Sequence, residues 1–146
     1  MGSEISEIGW TQDLETGIDV LDGQHHRYME LLANFLDKAS RTSSTTGEIL
    51  DLAETFNFLR QYAREHFSTE ELVMKESGYT DFKSHHQEHL YFLKHVEDLY
   101  SQMKTSGFSS SVGREVNYYI IEWFVEHIRF TDKKLAVFLK EKAAEG

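Results

Sequence analysis

The chain has 146 residues with no cysteine, no proline and 9 glycines, which excludes disulfide frameworks, thiolate metal sites, cysteine nucleophiles and proline-rich or loop-dominated folds. The length suits a single domain over residues 1–146 that buries a core without covalent staples. Lys+Arg 15 against Asp+Glu 25 gives a formal net charge of -10, the wrong sign for tracking phosphates, so no nucleic-acid partner is expected.

In chain order, residues 1–18 read as an arm whose Trp10 and Ile18 pack against the bundle, and the acidic start lacks the features of a signal peptide. Polar, turn-prone runs at 40–47, 76–80 and 105–111 divide the remainder of the chain into segments of helical length. Within each segment, apolar residues recur at alternating steps of three and four, the mark of one buried helix face. The first stripe is His25, Tyr28, Met29, Leu32, Phe35 and Leu36. The second runs Ile49, Leu52, Phe56, Leu59, Ala63, His66, Glu70 and Val73 behind a capping-box spacing at Thr45-Thr-Gly-Glu48. The third is Phe82, His85, His89, Phe92, Val96, Leu99 and Met103; the fourth is Val116, Ile120, Trp123, His127 and Phe130. Thr80 and Ser111 are the expected caps of these last two helices. A short fifth helix over about 132–144 buries Leu135, Phe138 and Leu139. The expected fold is all-α: an antiparallel up-down four-helix bundle over about 19–131, with an N-terminal arm and a short C-terminal fifth helix. No stretch is long and apolar enough to span a bilayer, so a cytoplasmic monomer with no membrane partner is expected.

What interrupts the apolar stripes carries the chemistry. Five of the eight histidines and one glutamate sit on core positions. Each buried polar group left without a partner costs about 1–3 kcal/mol, and a domain has only about 5–15 kcal/mol in total, so these groups must satisfy one another or bind something. Imidazoles and carboxylates without thiolates suit iron, zinc, copper, nickel or manganese. His66 and Glu70 are four residues apart, as are His85 and His89, so each pair projects from one helix face. His127 and Asp132 are five apart, about 140° on a regular helix; the expected remedy is a break near Phe130, with Asp132 capping the next helix. Two roughly octahedral ions offer twelve positions; five imidazoles, two bridging carboxylates and one bridging solvent oxygen would fill eleven, leaving one open for a diatomic ligand.

These residues resemble the hemerythrin family. The matching pieces are Asp22-Gly-Gln-His25, His66-Phe-Ser-Thr-Glu70-Glu-Leu-Val-Met74, Gly78-Tyr79 with His85-His-Gln-Glu-His89, and Trp123-Phe-Val-Glu-His127-Ile-Arg-Phe-Thr-Asp132. The likeness extends from about Trp10 to about Leu139, and the short chain is similar to the single-domain prokaryotic members, the bacteriohemerythrins. It implies a non-heme diiron centre with a bridging oxo or hydroxo group. One iron would take His85, His89 and His127 and the other His25 and His66, with Glu70 and Asp132 bridging. It further implies reversible dioxygen binding, for storage, delivery or scavenging, rather than an enzyme. The family's oxygen pocket maps to Tyr28, Phe67, Trp123, Phe124 and Ile128. Tyr28 stands where the family often has leucine, and its hydroxyl is expected to donate a hydrogen bond near the open position. His26, His86, Glu71 and Glu126, each beside a ligand, are expected to be solvated, and His95 to lie at the surface or just behind the site.

An oxygen or redox sensor acting through a partner is the alternative. A ferritin-like diiron oxidase is disfavoured because no Glu-x-x-His occurs, and a zinc hydrolase because no His-Glu-x-x-His occurs.

Overall fold

The computed structural model describes residues 10–41 and 46–145. Thr45 of the expected capping box lies outside them. The arm enters through a short 3-10 turn, Gln12–Leu14, with Leu14 buried. Three long helices come next: α1 (Asp19–Arg41), α2 (Thr46–Ser77) and α3 (Phe82–Ser106). The fourth helical run opens as α4 (Ser110–Glu115), passes through a π-helical stretch (Val116–Glu122), α5 (Trp123–Glu126) and a second π-helical stretch (His127–Asp132), and ends as α6 (Lys133–Glu145). The architecture is the all-α bundle expected from the periodicity, and among the described residues no helix is long and apolar enough to cross a membrane.

Two apolar clusters bracket the site. The larger runs along the bundle from Leu14, Tyr28 and Phe67 to Val112 and Val116, with Trp10 of the arm packed against it. The smaller one, Leu21, Met74, Tyr79 and Leu135 with Ile18, Phe82, Phe138 and Leu139 around it, closes one end. Between them lie the polar residues. His25 is near the start of α1, His66 and Glu70 near the end of α2, His85 and His89 near the start of α3, and His127 and Asp132 late in the fourth run. Because neighbouring helices run in opposite directions, starts and ends alternate, and all seven side chains meet at the same end of the bundle.

The turn between α2 and α3 holds that end together. The N–H of Tyr79 donates to the Met74 carbonyl (2.9 Å) and that of Gly78 to Lys75 (3.3 Å), a Schellman closure in which Gly78 has φ +73°. Met74 and Tyr79 pack together beneath it. Any residue with a Cβ would be strained at Gly78. At the arm, Asp22 accepts hydrogen bonds from the Thr16 hydroxyl (2.7 Å) and from the N–H groups of Thr16 (2.8 Å) and Gly17 (2.9 Å), which anchors the entry to α1.

Three expectations need correction. Thr80 does not cap α3; Asp81 occupies that position without a side-chain capping bond. Ser111 lies inside α4, and Ser109, in an extended conformation, accepts from the Val112 N–H instead (3.2 Å). Phe130 is 64 % exposed rather than in the core, because the π-helical stretches rotate the fourth run so that Phe124, Val125 and Ile128 face inward.

Candidate metal centre

The same π-helical geometry resolves the awkward spacing of His127 and Asp132. The helix does not end at Phe130, and the Asp132 side chain makes no capping bond to the next helix: His127–Asp132 is a continuous π-helical segment. There the backbone bonds span five residues rather than four, so side chains five apart stack on one face. Both side chains are buried, and His127 Nε2 lies 3.2 Å from Asp132 Oδ1.

The structure brings the seven residues into two overlapping groups: Glu70, His85, His89, His127 and Asp132 in one, and His25, His66, Glu70 and Asp132 in the other. Within each group every ligand-type atom lies within 4.8 Å of the others. Glu70 and Asp132 are shared, and each divides its oxygens between the groups. Glu70 Oε1 is 2.6 Å from His85 Nε2 and 2.9 Å from His89 Nε2, while Oε2 is 3.6 Å from His66 Nε2. Asp132 Oδ1 is 3.1 Å from His85 Nε2, while Oδ2 is 2.9 Å from His25 Nε2.

Several of these contacts are close without being aligned as hydrogen bonds. His25 Nε2, His66 Nε2, His127 Nε2, Glu70 Oε2 and both Asp132 oxygens are buried and have no hydrogen-bond partner among the described residues. Orphaned donors and acceptors whose lone pairs converge would be costly in a plain core and are the donor set of a bound cation.

The titration behaviour agrees. Burial opposes charge on His85, yet the carboxylates of Asp132 and Glu70 outweigh it and raise the imidazole to about 9. His127 is likewise raised despite burial, chiefly by Asp132. Burial and the neighbouring Asp132 would raise Glu70, but His127, His85 and His89 hold it below the usual carboxylate range. His66, where burial dominates, falls to about 4. Without metal, protons on the three-histidine side supply the positive charge that the two carboxylates require.

Comparison with known proteins points the same way. Residues 16–139 match the family described as the hemerythrin HHE cation binding domain. The chain belongs to the hemerythrin family. It is 30 % identical to the bacteriohemerythrin of Pseudomonas paraeruginosa over 128 residues, covering 88 % of this chain and 78 % of that protein. The bacteriohemerythrin of Methylococcus capsulatus is 28 % identical over 125 residues (85 % and 90 % of the two chains), and the myohemerythrin of Sipunculus nudus 26 % over 125 (86 % and 88 %).

In this hemerythrin-family site the imidazoles are held from behind by residues that sequence reasoning left unassigned or read as solvated. His66 Nδ1 is 2.7 Å from Gln24 Oε1, and the Gln24 amide donates to the Thr69 hydroxyl (3.4 Å). Glu71 Oε2 accepts from His89 Nδ1 (2.7 Å) and His86 Nδ1 (2.8 Å), so neither Glu71 nor His86 is merely solvated. Glu88 Oε1 accepts from His127 Nδ1 (2.9 Å) and from the Thr131 hydroxyl (2.8 Å). Burial would raise both glutamates, but their imidazole partners keep them ionised. A second N–H that is held in this way orients the ring and raises its basicity. His26 is 2.6 Å from Glu15 and packs edge-on against Trp10, which ties down the arm. Glu126 is exposed and pairs with Arg129. His95 lies at the surface, stacked on Tyr119 (3.8 Å). Replacing Gln24 with leucine should weaken metal binding about 10- to 100-fold and only on the two-histidine side; chelator competition measures this, and unchanged affinity would remove Gln24 from the site.

The five apolar positions do not form one wall. Phe124 lies edge-on to His25 (5.9 Å) and His66 (6.3 Å), with Tyr28 against its other side (4.0 Å). Phe67 stacks on His89 (3.9 Å, 12°), and Ile128 is fully buried. Trp123 instead stacks on His127 (4.9 Å, 12°), on the three-histidine side and partly exposed. The Tyr28 hydroxyl is buried without a partner among the described residues, and burial raises its pKa well above the ordinary value, so it is a neutral donor.

Proposed function

We propose that the chain holds two iron ions in its buried histidine–carboxylate cluster and binds dioxygen reversibly, for storage, delivery or scavenging. The observation that carries this reading is the unequal division of ligands around two shared carboxylates: three imidazoles on one side, two on the other. His85, His89 and His127 would hold one ion and His25 and His66 the second, with Glu70 and Asp132 bridging. The side with fewer imidazoles keeps a position for a small ligand. Two ferrous ions bound there would supply the electrons with which dioxygen is held and released.

The chain's own residues do the rest. Gln24, Glu71 and Glu88 fix the planes of His66, His89 and His127 before any ion arrives. Phe124, Phe67, Ile128 and Tyr28, all buried, form a dry surround, with Phe124 edge-on to His25 and His66 and Phe67 against both His66 and His89. Excluding water there denies protons to a bound oxygen species and slows its irreversible loss. The Tyr28 hydroxyl is the neutral donor within that surround.

Metal analysis of the anaerobically reduced protein should find about two irons per chain, as two histidine groups around shared carboxylates require. Adding oxygen should bring up an absorption band that disappears when oxygen is removed. A single zinc per chain, or bleaching that does not reverse, would overturn the reading.

A further inference from the structure

A chain of aromatic rings runs from the metal centre to the surface, and no part of the proposed oxygen chemistry requires it. Trp123 stacks face-to-face on His127 (4.9 Å, 12° between planes). Tyr91, on the facing helix α3, lies 6.1 Å from Trp123 and is 46 % exposed. From Tyr91 the rings continue to His95 (4.6 Å) and Tyr119 (6.4 Å), and from Tyr119 to Tyr118 (4.8 Å), which is 58 % exposed. Tyr91 and Trp123 also line a shallow groove with Ser84, Gln87 and Glu88, directly above the carboxylate that holds His127. The ligand side chains themselves are buried.

We propose that His127, Trp123 and Tyr91 form the path by which the metal centre exchanges single electrons with a donor at the surface. This rests on the reading of the cluster as an iron site. Electron tunnelling weakens exponentially with distance through saturated side chains, and rings in contact couple more strongly than the aliphatic core around them. The groove exposes the ring edges to a planar one-electron donor, while dioxygen meets the apolar surround of the two-histidine side. In each transfer the donor would lose one electron and a bound ferric ion would become ferrous; two donor molecules would return a diferric pair to the diferrous state, and the rings would be left unchanged. Such a route returns a centre that has lost its oxygen irreversibly to the state that binds it again.

Tyr28 offers no competing route. It has no direct ring contact with Trp123, which it reaches through Phe92 (6.2 Å and 4.9 Å), and its buried hydroxyl has no partner among the described residues to take its proton. The phenol of Tyr91 is at the surface, where water can.

Coupling between the rings is tested first without metal, in a Trp10→Phe background where Trp123 is the sole indole. A ruthenium(III) tris-bipyridine photo-oxidant takes one electron from Trp123, whose indole proton leaves to water. Tyr91 then returns an electron to the indole, which regains a proton while the phenol loses its own to water. The indole radical should decay as a tyrosine radical grows in, and Tyr91→Leu, which breaks the ring contact, should prolong its life about tenfold or more. The second measurement is stopped-flow reduction of the oxidised, iron-loaded protein by the methyl viologen radical cation. Tyr91→Leu should slow it by a comparable factor, and Tyr91→Phe should retain most of the rate, with equilibrium oxygen affinity unchanged in both. An indole radical lifetime or a viologen rate unaffected by Tyr91→Leu would overturn the proposal. Failure of the protein to take up iron would overturn the iron reading instead, and the flash experiment would still decide whether the rings are coupled.

Discussion

Glu70→Ala should abolish binding of both metal ions, whereas His66→Ala should lose only the ion on the two-histidine side. The difference arises from geometry. Glu70 presents one oxygen to His85 and His89 and the other to His66, so its removal takes a ligand from each group. His66 belongs to one group only. The metal-free protein should also suffer, because His85 and His127 lose one of the two carboxylates that compensate their charge. Removing one member of a buried ion pair costs about 3–5 kcal/mol. Glu70→Gln keeps the side-chain volume and should fold better than the alanine variant, yet lose metal just as fully. Elemental analysis per chain reads the first effect, and denaturant unfolding the second. One ion retained in Glu70→Gln would show that the carboxylate serves a single site.

The second large effect is the pH dependence of the metal-free protein, and its disappearance on loading. His85 is raised from 6.5 to about 9, so its contribution to stability is complete below about pH 6.5 and is lost as pH climbs through 9. His127, also raised, acts in the same direction. On the acid side, His66 is lowered to about 4, so stability falls as pH drops from 6.5 towards 4. Glu70 and Asp132, both depressed, add to the acid loss, since their contributions are present above the ordinary carboxylate range and vanish as they protonate. The metal-free protein should therefore be most stable close to pH 6.5, with melting temperature falling on both sides. With metal bound, the ions replace the protons of His85 and His127, the alkaline decline should vanish, and loading at pH 7 should release about two protons from these rings. Thermal unfolding across pH 5 to 10 and an indicator dye in weak buffer measure both. A metal-free melting temperature that is flat from pH 6.5 to 9 would contradict this charge balance.

Much of this site is legible in the order of the residues. A histidine on an apolar stripe at His25, His66, His85, His89 or His127 is conspicuous because burial of an unpaired polar group is costly, and spacings of four place pairs on one helix face. The partners behind the imidazoles are harder to see. Gln24, Glu71 and Glu88 each adjoin a proposed ligand in sequence, and a polar residue next to a core position ordinarily faces solvent. Gln24 meets His66 from 42 residues away and Glu88 meets His127 from 39, contacts that depend on how the helices are set against one another. The usable signal is chemical: a buried ligand imidazole has a second N–H that needs an acceptor.

Periodicity, composition and the cost of burying polar groups point to the helices, the all-α class and six of the polar side chains, His25, His66, Glu70, His85, His89 and His127, since these depend on local spacing and solvation; Asp132 is joined to them by the family resemblance. The π-helical turn that aligns Asp132 with His127, the outward rotation of Phe130, the division of each carboxylate between two groups and the stack of Trp123 on His127 were decided only by the tertiary structure. Each depends on the axial shift and rotation of one helix against its neighbours, and that is set by packing summed over the whole core rather than by any short stretch of residues.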